Sequence, residues 1–412
     1  MNPEDTLTFI LAGGAGSRLY PLTRERAKPA VPFGGKYRII DFTLTNCLHS
    51  GMRRILVLTQ YKSQSLLTHL RNGWSIFNSE IGEFISPVPP QMRTGESWYA
   101  GTADAIYQNL HLLPRARARR ILILSGDHIY RMDYAPMLEA HLARSAGLTI
   151  ACMDVDLPSA RGFGVMAVDE QQRIVAFQEK PAEPQPMPGQ PDRALVSMGI
   201  YLFDAELLRA VLRADHDRPG SSHDFGKDVI PGMLADHRVF AYRFGGDAER
   251  VSPDRYWRDV GTIDSYFEAN MDLLQRIPPL DLYQPEWRIR TYNAQHPPAR
   301  VVAGAQHEGR VTNSILEHGA VIAGGSVQES ILASEVHVGD GATVESSLLL
   351  SGVRVGAGAC VRRSIVDKFV AIPAGERIGY DRERDAARFT ISEGGIVVVP
   401  KEYVFSEAVP AD

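Results

Sequence analysis

Short aliphatic runs punctuate the first two thirds of the chain: Leu7 to Leu11, Ile55 to Thr59, Ile121 to Leu124, Leu148 to Met153, Gly164 to Val168, Ile174 to Gln178, Val196 to Phe203 and Val239 to Arg243. Between them lie segments of helical character. Runs of this length, apolar on both sides of the pleat, predict strands buried between two helical layers, and their rhythm predicts a mostly parallel sheet of the α/β class. Ligands of such sheets collect beyond the carboxyl ends of the strands. Polar and glycine-rich segments fall there: Gly13-Gly14 after the first run, Gln60 after the second, Ser125-Gly126-Asp127 after the third.

The pattern changes near residue 276. Prolines crowd at Pro278, Pro279, Pro285, Pro297 and Pro298, which suggests a linker over 276–300 closing a first domain at 1–275. From 301 to 412 the chain repeats. Val321, Val338, Val355 and Ile372 lie 17 residues apart, as do Val327, Val344, Val361 and Ile378, and Ile315, Leu332, Leu349 and Val366. Gly324, Gly341, Gly358 and Gly375 recur with the same period. Three interleaved apolar series sharing one long period predict a parallel β-helix of about four coils, each burying one aliphatic residue per face. So few coils should pack on the first domain or on another subunit.

With 412 residues two domains are expected, and composition narrows the partners. A net charge of -5 speaks against a general nucleic-acid surface, and no apolar run is long enough to span a membrane. Cys47, Cys152 and Cys360, far apart and odd in number, read as reduced thiols of a cytoplasmic protein.

The candidate chemistry centres on Leu11 to Pro32, LAGGAGSRLYPLTRERAKPAVP. Gly13, Gly14 and Gly16 let backbone N–H groups approach an anion, and Arg18, Arg26 and Lys28 follow within fifteen residues. A triphosphate spreads its charge over several oxygens, which suits a glycine turn followed by spaced cations. The dinucleotide fingerprint fails at Leu19, and the Walker pattern fails because Tyr37 follows Gly35-Lys36.

The stretch GGAGSRLYPLTRERAKPAVP resembles the signature of the sugar nucleotidyltransferases, and FGGKYRIIDFTLTNC resembles their ADP-glucose pyrophosphorylase branch. WYAGTADAIYQN, SGDHIYRMDY, GFGVMAVD, FQEKPA, SMGIYLFD, SSHDFGKDVIP and YWRDVGTID agree in order over nearly the whole chain. The resemblance implies a Rossmann-like nucleotidyltransferase domain followed by a left-handed β-helix. It implies transfer of the adenylyl group of ATP to glucose 1-phosphate in glycogen or α-glucan synthesis, by a homotetramer regulated by phosphorylated metabolites. Asp127 and Asp259 would together hold Mg²⁺, since magnesium takes few carboxylates and completes its shell with phosphate and water. Lys180 would clamp the sugar phosphate and Glu179 its hydroxyls, with Tyr99, Gly164, Ser197, Tyr201, Asp224, Phe225 and Trp257 around the glucose. Arg18 and Lys28 would neutralise the leaving pyrophosphate. Leu11, Gly13, Gly14, Gly16, Gln60, Gly101, Thr102 and Asp104 would surround the nucleotide.

The effector positions depart from the resembling family. Glu25 stands before Arg26 where a basic group is common, and Pro32 where a histidine can occur. Arg26, Arg38, Arg362 and Arg363 remain as candidate effector contacts, while Glu25 should repel a bisphosphate. Three other readings stay open: a nucleotidyltransferase making GDP-mannose or a pyrimidine-nucleotide sugar, an acyltransferase using His337 on the β-helix, and a non-catalytic regulatory subunit.

Overall fold

The computed structural model describes residues 5–91, 98–245 and 255–405. Its main sheet is built on β1 (Thr6–Ala12), β2 (Arg54–Thr59), β3 (Phe84–Val88) and β4 (Arg120–Ser125), joined by β5 (Leu148–Asp156), β6 (Gly164–Val168), β7 (Ile174–Glu179), β8 (Arg193–Asp204) and β9 (Val239–Arg243). The order β3-β2-β1-β4 is parallel throughout, with Phe9 opposite Leu56 on one side and Ile123 on the other. β1 shows why an unbroken apolar run was needed. Leu7 and Phe9 pack with Leu56, Leu58, Ile121 and Ile123 on one face, while Ile10 and Ala12 pack with Ile55, Val57, Leu122 and Leu124 on the other. Each such side chain contributes about 1.5–3 kcal/mol on leaving water.

Beyond β4 the sheet turns antiparallel, except that β9 runs parallel to β5. β8 pairs with β4, β5 and β6, and β6 forms a hairpin with β7. The register of β8 against β5 breaks between Ser197 and Tyr201, a bulge containing Gly199 at φ +69°. That bulge lets one strand change partners halfway along and carries both Ser197 and Tyr201 at the turn. A short strand Trp257–Asp259 pairs antiparallel with His128–Tyr130, putting Asp259 opposite His128 beside the end of β4.

The repeat is a parallel β-helix with three faces of stacked short strands. Its second face follows the sequence expectation: Val327, Val344, Val361 and Ile378 stand in register and buried. On the other two faces the first rung is shifted by one. Ile322, not Val321, stacks on Val338, and Leu316, not Ile315, stacks on Leu332, because the first coil holds 16 residues where later coils hold 17. Gly324, Gly341, Gly358 and Gly375 all turn the chain at φ between +67° and +74°. A serine ladder accompanies them. Ser330, Ser347 and Ser364 are fully buried; each hydroxyl donates to the carbonyl two residues back, and those of Ser330 and Ser347 accept the N–H of the next serine up the stack.

The third face docks the helix on the first domain. Its rungs are apolar doublets, so Leu332, Leu349 and Val366 fill the coil while Ile331, Leu348, Ile365 and Val398 turn outward against Leu19, Val31, Phe33, Phe42 and Tyr266. The proline-rich stretch 276–300 is no loose tether. Leu280, Trp287 and Ile289 are buried on the first domain, the Trp287 indole N–H donates to Asn46, and the Arg290 N–H donates to Thr45. Its prolines keep it extended while its few large apolar residues anchor it.

Candidate active site

At the carboxyl ends of β1 and β4 the predicted chemistry converges. The Lys28 ammonium is buried and lies 2.9 Å from Asp127 Oδ2 and 2.8 Å from Asp259 Oδ1. Asp127 is fixed from below by the Ser125 hydroxyl, 2.8 Å from its other oxygen. Gly261 of the YWRDVGTID motif sits where a Cβ would lie 3.0 Å from the Arg18 guanidinium and 3.2 Å from Asp259, so Arg18 and Asp259 meet over a residue without a side chain. Thus Arg18, Lys28, Asp127 and Asp259, spread over 240 residues of sequence, form one cluster.

The electrostatics follow from this closeness. Burial alone would raise the Asp127 carboxyl, but Lys28 and then His128 bring it well below the usual carboxylate range. Burial alone would lower Lys28, and its two carboxylates more than reverse that. His128, whose Nε2 is 3.6 Å from Asp127, is lowered by burial and is therefore neutral at pH 7. Asp127, His128 and Asp259 bring candidate ligand atoms within 4.8 Å of one another. Two carboxylates form a hard-oxygen set of the kind Mg²⁺ takes, so the sequence expectation for these residues is chemically consistent.

A cavity of about 290 Å³ opens beside this cluster, lined by Leu11, Gly13, Gly14, Gln60, Gly101 and Thr102, all expected around the nucleotide, and also by Leu58, Tyr61, Tyr99 and Asp224. Gly16 lies at φ +60° between Thr23 and Lys28 and shapes the turn. Asp104 works from behind the cavity: its carboxylate accepts the Ala100 N–H and the Gln108 amide, 2.9 Å each, and holds the loop that leads into Gly101. Gly101 itself has no alternative, since a Cβ there would fall 2.2 Å from the His223 carbonyl oxygen.

That contact joins the nucleotide side to the sugar side. Asp224 Oδ1 caps the turn Phe225–Val229 through the N–H groups of Gly226 and Lys227, and its Oδ2 accepts from the Thr102 hydroxyl at 3.1 Å. Glu179 enters the same space between Gly164 and Gly226, where a Cβ on either glycine would come within 3.0 Å of the carboxylate. Tyr201, pushed up by burial despite a hydrogen bond with Ser197, has Glu179 and Asp224 as its charged neighbours. The Lys180 ammonium is exposed and 3.2 Å from Glu179, on a backbone held at φ +46°. Trp257 packs edge-on against His128 and Phe163. Phe225 is placed differently from the other expected sugar contacts: its ring is core, against Tyr201 and Phe203, so its backbone faces the site instead.

The expected effector residues are dispersed. Arg26 is buried in the domain interface with one arm 3.0 Å from both oxygens of Asp367 of the β-helix, and its Nη1 has no hydrogen-bond partner among the described residues. Arg38 donates to the carbonyls of Ala30 and Ser65 and lines an interface cavity of about 260 Å³ together with Lys36, His69, His318 and Lys368. Arg362 and Arg363 are exposed and lie outside that lining; Arg363 donates to the Gly394 carbonyl. Glu25 does not stand as an isolated repelling charge, because Lys401 of the β-helix segment meets it at 2.7 Å. Sequence reasoning missed His128, Gly226, Gly261, Lys36 and Lys368. The first four sit inside the quoted motifs, close to residues that were chosen; Lys368 lies outside them and is brought in by the packing of the third face.

Residues 7–276 match the nucleotidyl transferase family, and residues 297–399 match the GlmU-like C-terminal hexapeptide family. The chain is 64% identical over 403 residues to glucose-1-phosphate adenylyltransferase 2 of Vibrio vulnificus strain CMCP6, covering 98% of this chain and 100% of the relative. It is 59% identical over 404 residues to the protein of that name from Vibrio cholerae, covering 98% and 99%. It is 50% identical over 401 residues to glucose-1-phosphate adenylyltransferase of Paramagnetospirillum magneticum, covering 96% and 94%. With the Lys28, Asp127 and Asp259 cluster at the rim of a parallel sheet and a left-handed hexapeptide β-helix behind it, the chain belongs to the nucleotidyl transferase family and, within it, to the glucose-1-phosphate adenylyltransferases.

Proposed function

We propose that this protein transfers the adenylyl group of ATP to α-D-glucose 1-phosphate, giving ADP-glucose and pyrophosphate for glycogen or α-glucan synthesis. The observation that carries the reading is the convergence of Arg18, Lys28, Asp127 and Asp259 beside the cavity that Gly13, Gly14 and Gln60 line. The sugar phosphate is already an anion at neutral pH, so no covalent nucleophile is required. One bond forms, from a sugar-phosphate oxygen to the α-phosphorus, and one breaks, from that phosphorus to the oxygen of the departing pyrophosphate. The enzyme aligns these two and offsets their charge. Lys180 neutralises the attacking dianion, and Glu179 and Asp224 accept sugar hydroxyls. Arg18, Lys28 and the turn amides after β1 receive the pyrophosphate. Asp127 and Asp259 would hold Mg²⁺, which would supply charge stabilisation to the phosphates when bound.

We further assign the interface cavity to a phosphorylated effector. Burial, together with Arg38, Arg26 and Lys401 and against Asp367, lowers Lys368 to about 8. A half-buried lysine crowded by other cations is relieved by an anion. The protein acts in the cytoplasm as a homotetramer; no helix among the described residues is long and apolar enough to cross a membrane.

The test is pyrophosphate release from ATP and glucose 1-phosphate with Mg²⁺, repeated with GTP, UTP and dTTP and with a set of phosphorylated metabolites. ATP should be preferred and at least one metabolite should change the rate. Preference for another nucleotide, or transfer of an acyl group instead, overturns the reading.

A further inference from the structure

The pocket side of the cluster poses a conflict. In the reaction Lys28 has to meet phosphate, yet in the free chain its ammonium lies between the two carboxylates that the divalent cation would use, 2.9 Å from Asp127 and 2.8 Å from Asp259. It is also buried, so it cannot turn to solvent for an alternative partner.

Magnesium bonds carboxylate oxygen at about 2.0–2.1 Å. A cation bonded to either of these oxygens therefore sits no more than about 5 Å from the ammonium, and nearer on the ammonium's own side, and like charges at that range repel in a partly dry site. The lysine and the cation compete for the same two oxygens. A lysine also cannot leave unpaired, because a buried charge without a partner is costly. It needs an anion within reach, and the glycine turn ahead of it suits a triphosphate.

We infer that Lys28 is a stand-in for the divalent cation: it holds Asp127 and Asp259 together in the free protein, closes the metal site, and opens it when a nucleoside triphosphate draws the ammonium away. Two consequences follow for this chain. The two carboxylates stay preorganised without a cation, since the ammonium cancels their mutual repulsion. The free protein takes up divalent cations poorly, and nucleotide and cation enter as coupled ligands.

The inference rests on the proposed assignment of Asp127 and Asp259 as cation ligands, and its test reads metal binding rather than turnover. Mn²⁺ is titrated into the full-length protein without substrate, and free Mn²⁺ is followed by electron paramagnetic resonance. Wild type should bind weakly. Lys28→Met should bind one Mn²⁺ on the order of tenfold or more tightly, from removal of a charge within about 5 Å, and Lys28→Met/Asp127→Asn should lose that gain. Lys28→Gln, which keeps a polar group, should behave like Lys28→Met and serves if the latter does not fold. Equal Mn²⁺ affinity of wild type and both single variants overturns the inference, as does tight binding by wild type that Asp127→Asn removes. Failure to form ADP-glucose with the Mn²⁺ results intact would overturn the activity and leave the stand-in lysine standing.

Discussion

Lys28 and Lys368 are both shielded lysines at functional surfaces, and they are opposites. Lys28 sits between two carboxylates, which raise it above its ordinary value despite burial. Lys368 sits beside Arg38, Arg26 and Lys401 with only Asp367 in its favour, and burial with those cations brings it to about 8. One is satisfied by its own chain and has to be drawn away by a ligand. The other is unsatisfied by its chain and is completed by one. The same side chain is thus a closed gate in the first domain and an open socket at the interface, and the difference lies in the count of carboxylates within reach.

The largest expected effect comes from removing the acid that pairs with Arg26 on the interface side. Asp367 is almost fully buried and takes both hydrogen bonds from the Arg26 arm. Asp367→Asn leaves Arg26 buried with no counter-charge, which costs about 3–5 kcal/mol. The denaturant midpoint should fall, with the loss seen first in separation of the β-helix from the first domain. A midpoint equal to wild type would show that Asp367 is not what balances the interface cations.

On the other side of the comparison, Asp127→Asn removes half of the Lys28 cradle and one cation ligand together. Turnover should fall by about 10²–10³, measured by pyrophosphate release at saturating substrates. Stability should change little by comparison, because Asp127 lies in an open cleft with its side chain 29% exposed. Full activity with Mg²⁺ would remove Asp127 from the site.

The satisfied lysine was legible in the sequence and the unsatisfied one was not. Lys28 follows a glycine turn with Arg18 and Arg26 close by, and its partners Asp127 and Asp259 each end a recognisable segment, so local spacing already encoded a phosphate site. The strands were legible for the same reason: an apolar run such as Leu7 to Leu11 carries its burial in its own composition. Lys368 follows Asp367 at the end of an ordinary β-helix rung, and the nearby charges that drew attention, Arg362 and Arg363, lie outside the cavity it lines. Its environment arises from the docking of the third face, where Ile331, Leu348 and Ile365 turn outward. The doublets that drive docking were visible as Ile-Leu, Leu-Leu and Ile-Val pairs, yet a period of 17 registers one residue per face and hides the second. The same averaging placed Val321 and Ile315 one position early, because it took the 16-residue first coil to be like the others.

A smaller effect separates the two lysines by pH. An anionic effector needs Lys368 protonated, so its affinity should hold below pH 8 and weaken above it by up to about tenfold per unit. In the free protein the sign is reversed. The folded state gives up this proton near pH 8 while the unfolded chain keeps it to about 10.4, so this group makes the fold relatively more stable as pH rises through that window. Lys368→Arg, which does not titrate, should abolish the decline in effector affinity. A decline that persists in the variant assigns the pH effect elsewhere.

The smallest effect concerns Glu25, where a pairing decides between two readings of one charge. Taken alone it would repel a bisphosphate. Paired with Lys401 at 2.7 Å it instead cancels a cation that reaches Lys368 electrostatically. The pair is exposed at the Glu25 side, so it contributes no more than about 0–1 kcal/mol to stability. Glu25→Gln should therefore leave the denaturant midpoint almost unchanged and release the Lys401 charge toward the interface cavity. The half-maximal effector concentration should drop by about two- to fivefold at low salt, and the gain should shrink as ionic strength rises and the Debye length falls to about 8 Å. An unchanged effector response at low salt would mean that Lys401 does not reach the bound anion, and that the socket is formed by Arg38 and Lys368 without it.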